Sequence, residues 1–226
     1  MLRSLISNPV NHMLETEYTK VGKRALDLFD LITSARAIAP VTSTVFPAAA
    51  DPGSSLGAQL REVAKLISVS NELGAKRQVF FVSTGGYDTH DGIVTVHPRL
   101  LTNLADALRA FYDTTVELGV ANRVTTFTAS DFGRALTANA DSSDHGWGSM
   151  HFVLGGAVRG KAFYGTPPVV ANNGPDDIGQ GRLIPTMSVD QYAATLASWF
   201  GVSAGNMPTV LPNIGNYTTT NMGFMT

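Results

Sequence analysis

The chain contains no cysteine among its 226 residues, which excludes disulfide bonds, thiolate metal sites and a cysteine nucleophile. Charged residues are scarce too, at 15% of the sequence, compared with about a quarter in ordinary soluble proteins. Lysine and arginine total 16 against 18 aspartates and glutamates, a formal net charge of −2. This balance argues against a nucleic-acid partner held by charge. No apolar run approaches about 18 residues, so we expect no membrane span.

The start of the chain, MLRSLISNPVNHM, has neither the apolar stretch nor the cleavage site of a signal peptide. The length suits one domain with a sizeable core. We therefore predict a single α/β domain over residues 1–226. Residues 1–55 form a helical lead-in and loop in this interpretation, and residues 201–226 form an irregular tail rich in Gly, Pro, Asn and Thr.

Apolar residues at spacings of three and four predict helices. The first helix has the stripe Leu14, Tyr18, Val21, Ala25, Leu28 and Ile32, and the loop 41–55 follows it. The second has Leu56, Leu60, Val63 and Ile67 and ends near Gly74. The third begins at Pro98, has the face Leu101, Leu104, Leu108 and Phe111, and ends at Gly119. The last, over 189–200, begins with a capping box of Ser188 and Gln191.

Two short apolar runs predict strands. Residues 78–83 (QVFFVS) are too few for a helix, and residues 123–129 (RVTTFTA) follow the third helix. A strand, a helix and a strand in this order form a βαβ crossover, which joins parallel strands. Weaker β signals occur at 151–156 and 161–165. The fold class expected is therefore α/β with a parallel sheet.

Polar residues gather where the two predicted strands end. The first strand leads into Asp88 and His90, and the second leads into Asp131 and Arg134. If the strands are parallel, both loops leave the carboxyl edge of the sheet, where open α/β folds bind ligands. A third loop, DSSDHGWG at 141–148, follows soon after.

Carboxylates paired with histidines predict a metal site. Asp88 and His90 lie two positions apart and share one side of an extended chain, and Asp144 and His145 are adjacent in a loop. Oxygen and imidazole ligands without sulfur suit zinc, manganese or iron, and less readily calcium. Two metals about 4 Å apart would stabilise both oxygens of a displacement at phosphorus or sulfur. Arg134 would then hold the anionic substrate in a bidentate grip.

Several of these residues also have structural explanations. Asp88 is equally the cap of a turn, because Asp and Gly dominate turns. Asp131 is either a turn residue paired with Arg134 or part of the site. His151 opens an apolar run and is either a ligand or a core histidine.

The remaining candidates are weaker. His97 stands beside Pro98 at the expected start of a helix, which favours a structural role. His12 is isolated in the sequence and is interpreted as non-functional. Trp147 between two glycines is either core packing or a pocket wall.

Four motifs together resemble one bacterial family. They are GYDTH (86–90), SDFGR (130–134), DHGWG (144–148) and HFVLGG (151–156), with the helix HPRLLTNLADALRAFY between the first two. Their order and spacing are similar to the family known as domain of unknown function 1501, a relative of the alkaline phosphatase and sulfatase superfamily. The resemblance covers roughly residues 10–217.

The resemblance implies a fold and a chemistry. The superfamily has a doubly wound, mostly parallel α/β sheet flanked by helices and hydrolyses phosphate or sulfate esters at one or two metal ions. Asp88 and His90 are similar to its Asp and His ligand pair, and Asp144 and His145 to its adjacent pair. Asp131 stands where the family commonly has Glu, and it would act with Arg134 on the substrate. The set of metal ligands expected is Asp88, His90, Asp144, His145 and His151, holding zinc or manganese, with calcium as a further candidate.

The chain also departs from the family pattern. The superfamily places a carboxylate and a Ser or Thr nucleophile on an early strand, and this sequence begins with a helix instead. We therefore expect the C-terminal part of a longer family domain, with an incomplete sheet and without the covalent route. The expected function is a metal-dependent ester hydrolase, possible only if the site works without that nucleophile; the alternative is a non-catalytic metal-binding or protein-interaction domain. A complementing polypeptide would supply the missing half, and a homo-oligomer is the other association expected. The family's twin-arginine signal implies an exported or periplasmic protein.

Overall fold

The computed structural model describes Ser4, residues 12–48 and residues 56–226. The helices within these ranges include α1 (Met13–Ala37), α2 (Leu56–Ser68), α3 (Ile93–Glu117), α4 (Val189–Phe200) and α5 (Met207–Val210). The strands are β1 (Thr125–Phe127), β2 (Gly133–Asn139), β3 (Ser142–Gly146) and β4 (Val153–Gly155). The mixed α/β class is confirmed. The predicted loop 41–55 is irregular over 41–48, and the rest of it lies outside the described residues.

Helices α2 and α3 pack together and form the main core. Its buried residues are Leu60, Val63, Ala64, Ala107 and Phe111. The predicted apolar face of α2 is therefore confirmed, and the tight contact between the helices fits the small Ala side chains that both contribute.

The predicted stripe of α1 does not face this core. Leu14, Tyr18, Val21 and Leu28 are each more than half exposed, whereas Ala35 near the helix end is buried. An ion pair between Arg36 and Glu62 of α2 accompanies that buried end. The period of the stripe correctly predicted a helix, but amphipathic spacing alone cannot specify which neighbour covers the apolar face.

Helix α3 begins before the predicted start at Pro98. Its N-cap is Gly92, whose φ of 62° is in the left-handed region that glycine adopts without strain. Pro98 lies inside the helix, and His97 is therefore a helical residue, not the N-cap. The Pro98 ring removes one backbone donor near the start of the helix, and the helix continues through it.

The described strands form two antiparallel pairs. β1 pairs with β4, with Thr126 opposite Leu154, and β2 pairs with β3, with Arg134 opposite His145. The predicted parallel crossover is not found among the described residues, because β1, the strand after α3, pairs antiparallel with β4 and residues 78–83 form no strand. Three-residue strands such as β1 carry too little hydrophobic pattern to specify their partner. Of the weaker β signals, 151–156 contains β4, and 161–165 contains no strand.

Residues 78–83 alternate in burial as an extended chain does. Phe80 and Val82 pack on the core, while Val79 and Phe81 are 78% and 92% exposed. No backbone hydrogen bond joins this segment to another described part of the chain. The side chain of Gln59 instead bonds both backbone groups of Ser83, at 2.8 and 3.1 Å. Residues 78–83 thus alternate in exposure as a strand does, but they pair with no other strand among the described residues.

The C-terminal part forms a second, smaller core. Ser188 and Gln191 make the predicted capping box at the start of α4. Ala194 of α4 packs with Met207 and Ile214. The predicted irregular tail therefore differs from the structure, which contains α5 and two single turns of 3₁₀ helix, Ala204–Asn206 and Ile214–Asn216. Gly and Pro concealed these turns in the sequence because they usually mark loops.

Within the described ranges, no helix combines the length and the apolar content that crossing a bilayer requires.

Candidate metal site

Two chain segments bring the candidate ligands together. Asp88 and His90 lie in the loop between residues 78–83 and α3, and His145 lies on β3. β3 is held by its pairing with β2 through a two-residue turn, where Ala140 has a φ of 55°. The hairpin was not predicted. Residues 130–134 and 141–148 were expected to be loops, and neither strand has the β-branched or aromatic run that is typical of strands.

The carboxylate of Asp88 is the centre of the cluster. Its Oδ1 lies 2.8 Å from Nε2 of His145 and 2.9 Å from Nε2 of His90. One ligand atom from each of the three residues lies within 4.8 Å of the others. Each side chain is about half exposed, so the cluster is open to solvent. The predicted convergence of Asp88, His90 and His145 is present in the structure.

Electrostatics favour the ionised carboxylate. The hydrogen bond from His145 holds the pKa of Asp88 below its ordinary value, and the charges of His145 and His90 act in the same direction. Both imidazoles direct Nε2 at one oxygen, so each donates an N–H to it when no cation is bound. A cation bound to the same three atoms would displace these protons, because metal ligands must be deprotonated.

The surrounding residues orient the ligands. The ring of Phe132 stacks on His145 at a centroid distance of 3.8 Å and an interplanar angle of 9°. Asp144 lies beside the cluster, with Oδ1 4.0 Å from Nδ1 of His90. Asn139 donates to the same Asp144 oxygen at 2.9 Å. Asp144 is therefore a neighbour of the three converging ligands and does not share their centre.

Arg134 lies deeper than an anion-binding residue would. Its side chain is 19% exposed, and its Nη1 lies 3.7 Å from Oδ1 of Asp88. Its Nη2 donates to the carbonyl oxygen of Thr89 and, at 2.8 Å, to Oγ of Ser142. The guanidinium thus contacts the protein beneath the cluster, in contrast to the substrate contact expected from the sequence.

Two other predicted residues lie apart from the cluster. His151 stacks on Tyr192 at 5.9 Å, its Nδ1 lies 3.4 Å from Oγ1 of Thr128, and burial lowers its pKa. His151 is exposed despite these contacts, so it is not a core histidine, and it is not one of the three side chains that converge. Asp131 is exposed and has no hydrogen bond or ion pair with any residue in the described ranges.

The weaker candidates have structural surroundings. His97 meets the ring of Tyr87 edge-on at 6.1 Å. Trp147 is 65% exposed, so it is not a core residue. His12 is the exposed N-cap of α1.

The supporting residues Thr89, Ser142, Phe132 and Asn139 were not among the predicted site residues. Only their position in the sequence could have indicated them, because each adjoins a candidate site residue or lies on the hairpin that carries His145. A cavity of about 210 Å³ adjoins the cluster on the side of Asp144. Its lining carries no cationic side chain and consists of Ala135, Thr137, Ala138, Asn139, Asp144 and Gln180.

The fold and the site define an α/β protein with an exposed cluster of one carboxylate and two imidazoles. The sequence pattern of the family described as "Protein of unknown function (DUF1501)" matches residues 13–211, and the chain belongs to this family. No curated protein and no solved structure matches the chain.

Proposed function

We propose that this protein binds a divalent cation, zinc or manganese, at Asp88, His90 and His145 and hydrolyses phosphate or sulfate esters there. The observation that carries the proposal is the convergence of these three side chains within 4.8 Å. One carboxylate and two imidazoles, with no sulfur, are a ligand set that zinc and manganese accept. Three protein ligands on an open surface also leave room for water and substrate.

A bound divalent cation supplies Lewis acidity and positive charge where an anionic ester docks. The protein itself offers little positive charge there, because the guanidinium of Arg134 is engaged beneath the cluster. The hydroxyls of Thr89 and Ser142, which lie beside the candidate ligands, are both buried. Water, activated within the cluster, is therefore the nucleophile in this proposal, and a covalent route through a Ser or Thr of these loops is not part of it.

The relation to the alkaline phosphatase and sulfatase superfamily also belongs to the proposal. Its support is the motif resemblance around Asp88, His90, Asp144 and His145. A doubly wound sheet would need a strand beside residues 78–83, and that segment is extended and lacks a partner among the described residues. A second polypeptide or a second copy of the chain would supply such a strand, and the family resemblance favours an exported location.

Metal binding is tested by titrating metal-free protein with zinc and with manganese in a calorimeter. We expect one tight site, lost in Asp88→Asn and in His145→Asn. Asp91→Asn is the matched control, since Asp91 is an exposed carboxylate that does not belong to the cluster. Equal affinity in wild type and both ligand variants would contradict the site.

Hydrolysis is tested separately with p-nitrophenyl phosphate and p-nitrophenyl sulfate in the presence of zinc, manganese or calcium. We expect metal-dependent turnover that Asp88→Ala abolishes.

The second candidate function is a non-catalytic metal-binding or interaction domain. It is favoured by the surroundings of the cluster, where the hydroxyls of Thr89 and Ser142 are buried and the guanidinium of Arg134 is bonded to the protein. Metal binding without turnover of either ester would support it. A native mass above that of the 23.9 kDa chain would support association with a partner.

A further inference from the structure

Arg134 joins the two segments that carry the candidate ligands. Thr89 lies between Asp88 and His90, and its carbonyl oxygen accepts from Nη2 of Arg134. The same Nη2 donates to Oγ of Ser142 at 2.8 Å and lies 3.4 Å from Oγ1 of Thr89. Ser142 Oγ in turn donates to the carbonyl oxygen of Thr89. One guanidinium, one hydroxyl and one carbonyl thus form a closed triangle between the loop and the hairpin.

The triangle lies directly beneath the cluster. Arg134 is opposite His145 in the register of β2 and β3, and Nη1 of Arg134 lies 3.7 Å from Oδ1 of Asp88. Thr89 and Ser142 are 8% and 4% exposed. Hydrogen bonds in such a water-poor setting are stronger than on the surface, and a charged donor strengthens them further.

The two remaining nitrogens of Arg134 define its role more closely. Nε and Nη1 are buried and have no hydrogen-bond partner among the described residues. Leaving a buried donor unpaired is destabilising, so this arrangement does not maximise stability. Because neither atom reaches solvent, a substrate in the open part of the cluster does not contact them.

We propose that Arg134 is a positioning residue that fixes the separation between Asp88 and His145. It acts through Thr89 and Ser142, and its charge keeps the ionised Asp88 directed toward the two imidazoles. The effect of Arg134 on metal affinity rests on the proposed function. Its effect on the geometry of the metal-free cluster does not.

The test compares Arg134→Met and Arg134→Lys with wild type. Arg109→Met is the matched control, because Arg109 is an exposed arginine on α3 that pairs with Asp113. Lysine keeps the charge but lacks the planar fork that lets one group bridge two acceptors. Ser142→Ala removes one corner of the triangle and leaves Arg134 in place, so it provides an independent variant if Arg134→Met fails to fold.

The first readout uses metal-free protein. Nuclear Overhauser contacts of the His145 ring with the rings of Phe132 and His90 report the cluster geometry. The ring centroids of Phe132 and His90 lie 3.8 and 5.4 Å, respectively, from that of His145. We expect the contact between His90 and His145 to disappear in Arg134→Met, to weaken in Arg134→Lys and Ser142→Ala, and to persist in Arg109→Met. An unchanged contact in Arg134→Met, or in Ser142→Ala where Arg134→Met is unfolded, overturns the proposal.

The second readout is the visible absorption of added cobalt, which reports coordination geometry. Loss of a residue that orients metal ligands typically costs about 10–100-fold in affinity, and we expect a loss in this range for Arg134→Met together with an altered spectrum. Cobalt affinity within twofold of wild type, with the same spectrum, also overturns the proposal. If wild type itself binds no cobalt while the ring contact is lost in Arg134→Met, the proposed function fails and the positioning role stands.

Discussion

Nε2 of His145 lies 2.8 Å from Oδ1 of Asp88, although the two residues are 57 positions apart in the chain. The contact joins the loop before α3 to the β2–β3 hairpin. His90 approaches the same carboxylate oxygen at 2.9 Å. The candidate site therefore depends on how accurately the loop and the hairpin are placed, and this can be tested by changing residues outside the ligand set.

Gly133→Ala should disturb that placement. A methyl group on Gly133 would lie 2.0 Å from the carbonyl oxygen of Gly148, which is backbone and cannot move aside cheaply. We expect a loss of about 1–3 kcal/mol in the free energy of unfolding, as for other overpacked positions, measured by urea denaturation. Gly85→Ala is the control, because a methyl group there has nothing within 4 Å. Equal stability of the two variants would contradict the packing described at Gly133.

Ser188→Ala should weaken the start of α4. The Ser188 hydroxyl accepts from the backbone N–H of Asp190 at 3.0 Å, and the side chain of Gln191 accepts from the Ser188 N–H. Removing such a cap costs about 1 kcal/mol, which a denaturation curve resolves. Ser198→Ala, an exposed position within the same helix, should be neutral or slightly stabilising because alanine is the better helix former. A destabilised Ser198→Ala with a neutral Ser188→Ala would reverse this expectation.

Phe111→Ala should remove the largest part of the main core. Phe111 is 3% exposed and packs among Leu60, Val63 and Ala107. Truncating a buried phenylalanine typically costs about 3–5 kcal/mol, to be measured as the change in the free energy of unfolding. Phe81→Ala provides the comparison, since Phe81 is 92% exposed and we expect a change of less than about 0.5 kcal/mol. A large cost at Phe81 would instead indicate that this side chain is covered in solution.

Glu117 should give the protein an acid-sensitive tether. Its carboxylate accepts from the backbone N–H groups of Ser43 at 2.5 Å and Thr44 at 3.2 Å. The bond from Ser43 contributes most to holding the pKa of Glu117 below its ordinary value of 4.5. The stabilisation is therefore complete at pH values above the ordinary pKa of 4.5, and it is lost as the pH falls through the lower pKa of the folded state.

The measurement is the melting temperature of wild type and Glu117→Gln across about pH 3 to 7. We expect wild type to melt higher at neutral pH and the difference to shrink toward acid pH. Glu72→Gln, which changes an exposed glutamate, should follow the wild-type profile. A difference between wild type and Glu117→Gln that does not depend on pH would rule out the tether as the cause.

Local patterns predicted the helices well. Four predicted helices are present, and the capping box at Ser188 marks the start of α4. Start positions were less accurate: Pro98 suggested the beginning of α3, whereas Gly92 is its N-cap. The strands were harder to predict, because three-residue segments such as β1 have almost no periodicity and neither β2 nor β3 contains a β-branched or aromatic run.

The sequence also predicted that Asp88, His90 and His145 converge, as they do in the structure, and their binding of a metal stays a prediction. It could not separate them from His151, because a histidine beside an apolar run has the same local signature whether it binds a metal or packs on a tyrosine. The sequence also could not predict that Asp144 lies 4.0 Å from His90 or that the side chain of Arg134 is mostly buried, because both depend on residues far away in the chain.

The helical segments, the lack of sulfur ligands and the presence of oxygen and imidazole groups follow from residue type and short-range spacing, so they could be read from the chain alone. The antiparallel pairing of β1 with β4, the exposed stripe of α1 and the contact of His151 with Tyr192 became known from the fold. The fold also decided that Arg134 lies beneath Asp88, bonded to Thr89 and Ser142. The physical reason is that burial and pairing are set by long-range contacts, which local periodicity does not encode.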